Sequence, residues 1–353
     1  MNKISSNKRL PKPPASGLPK EPKWYDAAHL TLEGKEWRAE SRTYERLPSR
    51  AEGHIPERPW RQSLCSAGIS IRFKTNAPML YARWIDYNYE WATNQSPGNW
   101  LSLYVRSNNK WRWLGTSKEI VEGRPTLKLL NDNIKSAERD YLLYLPHGRG
   151  VRHLDIGIPE SCNMTSLPRR TERPVVFYGT SIVHGAGSIP GLDFVAHLER
   201  QLDYPFINLG LSGSACMEPE LIDLVSEIDA AVFVIDCLPN MVAKGVRERF
   251  VPAIHALRKA HPKTPIIVVE SLLYEDGFLI ASRKARCEGS NAALRTGYAK
   301  LLHEGVRGLS YVKGTDLFGG ELQVTGDGTH PTDFGYRCMA KVFTPLLERY
   351  IKK

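Results

Sequence analysis

Two textures of hydrophobic patterning divide the 353-residue chain. In the first third, apolar and polar positions alternate in short runs. "GISIRF" puts Ile69, Ile71 and Phe73 on one side, and "MLYARWIDY", "WLSLYVR", "KWRWLG", "DYLLYLP" and "VRHLDIGI" follow between Asn, Gly and Pro turns. Alternation bounded by turn residues predicts strands, and a succession of such strands predicts an antiparallel β-sandwich. From Pro174 the period changes. Apolar runs, "VVFY", "PFINLG", "AAVFVID", "TPIIVVE" and "LSYVKG", alternate with helical stretches around 191–202, 217–227, 243–260, 284–304 and 333–351. That order predicts a parallel sheet with helices on both faces. The polar, Pro-containing stretch "PESCNMTSLPRRTERP" lies between the two textures. The expected division is a basic tail over 1–23, a sandwich over 24–167 and an α/β domain over 168–353, with no internal repeat.

Composition changes this picture little. At 42% hydrophobic content the chain can bury two cores and is expected to be a soluble globular protein. No run approaches the roughly 18 apolar residues of a membrane span. The N-terminus has no apolar h-region, which fits a cytoplasmic protein or an exported one whose signal has been removed. The net charge of +10 suggests nucleic acid until it is mapped: residues 1–23 hold five Lys and one Arg against one Glu. Half the excess therefore sits in a Pro/Lys tail that is expected to be disordered, and the remainder forms no basic helix or RNA-binding signature, so no nucleic-acid partner is expected. The six cysteines, Cys65, Cys162, Cys216, Cys237, Cys287 and Cys338, form no Cys-x-x-Cys pair. They predict buried thiols rather than a zinc site or a disulfide framework, with a Cys65 to Cys162 bridge left open. All eight tryptophans fall between Trp24 and Trp113, where they serve core packing or a sugar platform.

In open α/β sheets the chemistry gathers in loops at the carboxyl ends of strands. Those loops contain Gly179, Thr180, Ser181 and Ile182; Gly210 to Ser214; Asp236 to Asn240; and, before the last helix, Asp327 to Pro331. Nucleotide fingerprints fail: Gly185 and Gly187 would need a glycine at 190, which is Pro190, and no Gly-Lys-Ser/Thr follows. The lipase elbow Gly-x-Ser-x-Gly fails at Val183. What remains is a serine with a distant Asp-x-x-His. A serine hydroxyl needs a base to take its proton, and the base needs a group to fix its tautomer. A spacing of three lets Asp327 and His330 do this from one turn. His184, three residues from Ser181, is the competing base, though it also reads as a loop or helix-start side chain near the cleft. Other readings stand beside these roles: Ser181 as a helix cap, Gly213 as a turn residue with positive φ, Asn240 as the cap of the helix beginning near Val242, and Asp236 as structural.

Together, the Gly-Thr-Ser-Ile loop, the glycine of "NLGLSGSA", Asn240 and "DGTHPTDFGY" resemble the four blocks of the SGNH (GDSL-type) hydrolases over about residues 174–350. The first third, ending in "DYLLYLPHGRGVRHLDIGIP", resembles the sandwich that precedes the catalytic domain in a bacterial subgroup of two-domain esterases and acyltransferases. The resemblance implies a flavodoxin-like three-layer domain behind a jelly-roll-like sandwich. It implies Ser181 as nucleophile, His330 as general base and acid, Asp327 as its orienting carboxylate, and an oxyanion hole from the N–H groups of Ser181 and Gly213 and the amide of Asn240. No metal or organic cofactor is expected. Two positions depart from the family pattern: Thr180 replaces the usual Asp, and Leu238-Pro239-Asn240-Met241 replaces Gly-x-Asn-Asp. The expected activity is hydrolysis of short-chain carbohydrate esters, acetylated sugars above all, through an acyl-serine. An acyltransferase using the same acyl-enzyme and a noncatalytic glycan-binding protein are the alternatives. The oligomeric state is not legible.

Overall fold

A computed structural model describes residues 22–86, 97–117 and 126–351. Among them, ten strands precede residue 170: β1 (Lys23–Asp26), β2 (Thr31–Glu33), β3 (Ser70–Thr75), β4 (Leu80–Asp86), β5 (Ser102–Ser107), β6 (Lys110–Thr116), β7 (Thr126–Asn131), β8 (Arg139–Tyr144), β9 (Val151–Ile158) and β10 (Met164–Ser166). They form two antiparallel sheets, ordered β1-β9-β4-β7 and β10-β3-β8-β5-β6, with β2 also paired to β3. All six patterned runs are strands. Ile69, Ile71 and Phe73 are fully buried and Arg72 and Lys74 half-buried, as the alternation requires, although Ser70, on the polar side, is buried too. The strands outside those runs are β1, β2 and β10, too short to show a period, and β7, whose "TLKLLN" does alternate.

The α/β part has β11 (Val175–Gly179), β12 (Phe206–Gly210), β13 (Val232–Asp236), β14 (Ile266–Val269) and β15 (Leu309–Val312), all parallel, in the order β12-β11-β13-β14-β15. This is the flavodoxin-like order, whose topological switch point lies at the first strand. Five helices match the predicted stretches: Phe194–Leu202, Pro219–Val225, Ala243–Ala260, Ala281–His303 and Asp333–Ile351. The first begins three residues later than its pattern because Asp193 caps it, accepting from the Ala196 N–H at 3.0 Å after the break at Pro190 and Gly191. Apolar clusters cover both sheet faces, as a doubly covered sheet demands.

One of those clusters crosses the expected division. Trp37, Leu47, Ala51, Ile55 and Trp60, from the stretch assigned to the sandwich, pack with Tyr178, Leu209, Leu211 and Met217 of the α/β part. This segment carries a short helix, Glu57–Ser63. Arg46 pins it down. Its guanidinium is buried and donates to the carbonyls of Cys65 (2.9 Å), Asn208 (3.2 Å), Gly210 (2.6 Å) and Gln62. Burial without a carboxylate brings Arg46 down to about 10. Of the tryptophans, Trp37, Trp60 and Trp84 serve cores, whereas Trp113 is 58% exposed. Cys65 and Cys162 are buried and free, so the bridge left open by the sequence does not form.

Candidate active site

Strand β11 is buried at every position, lies inside the sheet between β12 and β13, and ends where the apolar run gives way to Gly179 and Thr180. Glycine is needed at 179 because a Cβ there would stand 2.5 Å from both the Asp236 carbonyl oxygen and Val183 Cγ2. Thr180 then turns the chain and caps the four-residue helix Ser181–His184, its hydroxyl accepting from the Ile182 N–H. The cap is therefore Thr180, one residue before Ser181.

The "DGTH" turn is folded by its own aspartate. Asp327 Oδ1 accepts from the N–H groups of Thr329 at 2.9 Å and His330 at 2.7 Å, and Oδ2 lies 2.7 Å from His330 Nδ1. His330 Nε2 lies 2.9 Å from Ser181 Oγ. Burial raises the Asp327 carboxyl, but the hydrogen bonds it accepts from His330 and Thr329 outweigh it and hold Asp327 at about 2. An ionised Asp327 keeps the imidazole proton on Nδ1 and leaves Nε2 to accept from the serine. The group is open to solvent, with 56% of the Asp327 side chain and 34% of the His330 side chain exposed.

The oxyanion candidates lie on neighbouring loops. Gly213 follows β12 with φ +66°, in the left-handed region that glycine favours. Asn240 ends a 3-10 turn, Leu238–Asn240, and its amide donates to the Ser214 carbonyl, which ties the β13 loop to the β12 loop. It does not cap the following helix: the residue before that helix is Val242, and no side chain caps it.

His184 is placed elsewhere. It is buried with its Nε2 against the His147 carbonyl oxygen, from the segment between β8 and β9. Burial, then Arg46 and His147, lowers it well below the usual histidine range, so it is a neutral interface residue rather than a cleft side chain. Asp236 is buried at the end of β13, its Oδ2 without a partner among the described residues, and burial pushes it up to about 7.

Several supports were not among the sequence candidates. Glu275 accepts from the Val324 N–H at 3.1 Å, the Thr325 N–H at 2.9 Å and the Thr325 hydroxyl, while its own N–H donates to the Gly328 carbonyl at 3.2 Å. Arg283 donates to the Thr329 hydroxyl at 2.7 Å and to the Gly328 carbonyl at 3.2 Å. The signal was available: Glu275 lies in the loop after β14, the one strand-end loop of the first four that the sequence reading passes over. Asn208 joins β12 to the serine helix, its amide donating to the Val183 carbonyl at 2.7 Å.

One group among the described residues has metal-ligand geometry: Asp26, His153 and Asp155 of the sandwich. Asp155 there is already engaged by Arg83 at 2.6 Å and His153 at 3.0 Å. No helix among the described residues is long and apolar enough to cross a membrane.

Residues 172–348 match the GDSL-like lipase/acylhydrolase family, and residues 22–164 match the N-terminal domain of SGNH-hydrolase-type esterases. A crystal structure described as a GDSL-like lipase from Bacteroides ovatus is 32% identical, with a TM-score of 0.88 over 94% of this chain and 98% of that one. A salicylyl-acyltransferase from a tetracycline biosynthetic pathway is 16% identical at TM-score 0.70, over 94% and 97% of the two chains. An acetyl xylan esterase from the rumen bacterium Butyrivibrio proteoclasticus is 11% identical at TM-score 0.61, over 94% and 98%. At these identities the last two share the fold. No curated protein sequence matches.

Proposed function

Because the chain belongs to the GDSL-like lipase/acylhydrolase family, we propose that it is a serine ester hydrolase acting through an acyl-serine on short-chain carbohydrate esters. The observation that carries this reading is the continuous chain from Ser181 Oγ through His330 to Asp327, at 2.9 and 2.7 Å. His330 Nε2 takes the proton as Ser181 Oγ attacks the ester carbonyl, and returns it to the leaving alcohol; water then repeats the sequence on the acyl-serine. Asp327 keeps the imidazole oriented and stabilises its charged form. The oxyanion is met by the N–H groups of Ser181 and Gly213 and by the second amide hydrogen of Asn240, the first being engaged by Ser214. The openness of the triad supports a short acyl group, whose cleavage needs no enclosing wall. The overall likeness to an acetyl xylan esterase supports a sugar as the alcohol. Likeness to an acyltransferase makes transfer to an alcohol acceptor the second reading, with the same acyl-enzyme partitioned differently.

A fluorophosphonate probe is expected to label the wild type and not Ser181→Ala. Release of acetate from acetylated oligosaccharides is expected to fall by about 10⁴-fold or more in Ser181→Ala and almost as far in His330→Ala, because the triad acts as a unit. Equal turnover in wild type and either variant would sink the assignment. Octanoyl esters cleaved faster than acetyl esters would reject the short acyl group, and ester product outrunning acetate when an alcohol is added would favour transfer.

A further inference from the structure

Three arginines reach from helices onto the loops that carry the proposed oxyanion donors. Arg249 Nη1 donates to the Cys216 carbonyl at 3.1 Å, and Arg286 Nη2 to the Pro239 carbonyl at 2.7 Å, next to Asn240. The third, Arg58, lies flat against Gly213. A Cβ at Gly213 would fall 2.0 Å from Arg58 Nη2, 2.7 Å from Cζ and 3.1 Å from Nε, so the guanidinium occupies the space where any other residue would have its side chain. These distances put Nη2 within about 3.5 Å of the Gly213 Cα, and so within about 8 Å of an oxygen bound by the Gly213 N–H.

None of the three forms an ion pair among the described residues. The acids nearby are engaged elsewhere. Glu57, beside Arg58 on its helix, pairs with Arg61, and Glu218 accepts from the Cys216 N–H at 2.7 Å and the Tyr178 hydroxyl at 3.1 Å. Arg58 also forms no hydrogen bond among the described residues, and it is exposed. An exposed guanidinium laid flat on backbone keeps its planar fork of donors unspent, the geometry that matches a carboxylate bidentately.

Resting on the ester-hydrolase reading, we infer that the substrate carries a carboxylate beside the scissile ester and that Arg58 is its anchor, with Arg249 and Arg286 adding positive field. The carboxylate belongs to an acidic sugar ring on the alcohol side or to a dicarboxylic acyl group. Gly213 then has two duties: it presents its N–H to the oxyanion and leaves room for the arginine.

The test compares kcat/KM for two matched pairs at low salt: an acetylated uronide against the acetylated neutral sugar, and an aryl hemisuccinate against the aryl butyrate. One pair is expected to favour the anion by about tenfold or more, with the advantage shrinking as salt rises, and the favoured pair identifies the source of the carboxylate. Arg58→Ala should lower that ratio by about tenfold, Arg58→Glu should lower it further, and Arg58→Lys should recover part of it. In Ser181→Ala enzyme, calorimetric binding of the favoured ester should weaken in the same order, which separates affinity from chemistry. Ratios at or below one in both pairs, or a ratio unchanged in folded Arg58→Ala, overturn the inference and leave the esterase reading standing. Absence of turnover on all four esters and of fluorophosphonate labelling instead overturns the esterase reading.

Discussion

Asn240 ties two loops together. One amide hydrogen closes the gap between the β12 and β13 loops at the Ser214 carbonyl, and under the proposed function the other meets the oxyanion. Asn240→Ala is therefore expected to lower kcat by about 10²-fold to 10³-fold with little change in KM. A fully active variant that only melts earlier would leave Asn240 the loop tie alone. Asp236 is the opposite case, a carboxyl with no chemistry in view and a cost in stability. Burial raises it from 3.8 to about 7, so between these values the folded protein holds a proton that the unfolded chain has released, and stability falls as pH rises through the window. From pH 5 to pH 8 the loss attributable to this group is about 3 kcal/mol. Urea unfolding at both pH values should show that loss in the wild type and not in Asp236→Asn. An identical pH dependence in the two proteins would mean that Asp236 has a partner for its charge.

At the scale of elements, the histidine turn is held from outside. Its backbone is closed by Asp327, but its position over Ser181 depends on the Thr325–Pro331 bridge and on Glu275 and Arg283 reaching it from the segment after β14. Burial raises the Glu275 carboxyl, but the donors of Thr325 and Val324 outweigh it, so Glu275 remains lowered and ionised at neutral pH. Glu275→Ala should slow fluorophosphonate labelling and acetyl-ester turnover by about tenfold, reflecting a misplaced base rather than a missing one. Glu275→Gln should recover less than half of the lost rate, since it accepts fewer hydrogen bonds than the carboxylate. Labelling at the wild-type rate in a Glu275→Ala protein of lowered melting temperature would reduce Glu275 to a purely structural role.

For the whole molecule, the decisive contact is between the halves. The cluster of Trp37, Leu47, Ala51, Ile55 and Trp60 completes one face of the α/β core, and Arg46 satisfies carbonyls at the end of β12, on the loop that leads to Gly213. Removing a buried guanidinium with several charge-assisted bonds costs about 3 kcal/mol or more, before the loss of apolar burial. A fragment of residues 168–353 is thus expected to be aggregated or molten, without a cooperative melting transition. A soluble fragment that melts cooperatively and takes the fluorophosphonate label would show that the α/β part is complete alone.

What the sequence determined by itself was whatever depends on local pattern. Alternation in "GISIRF" and continuous burial in "VVFY" set the two kinds of sheet, because a strand covered on one face and a strand covered on both must differ in period. The strand-end loops were legible for the same reason: apolar runs end where glycine, hydroxyl and carboxylate residues begin, and Asp327 with His330 were close enough in sequence to be read as a pair. Tertiary structure alone decided what lies between distant segments. It put His184 under His147 instead of in the cleft, seated Arg58 on Gly213, and sent the 37–60 segment to the other core. Those outcomes depend on which surfaces meet, and an isolated histidine or arginine carries the same local pattern whether it is buried at an interface, held at a rim or free in water.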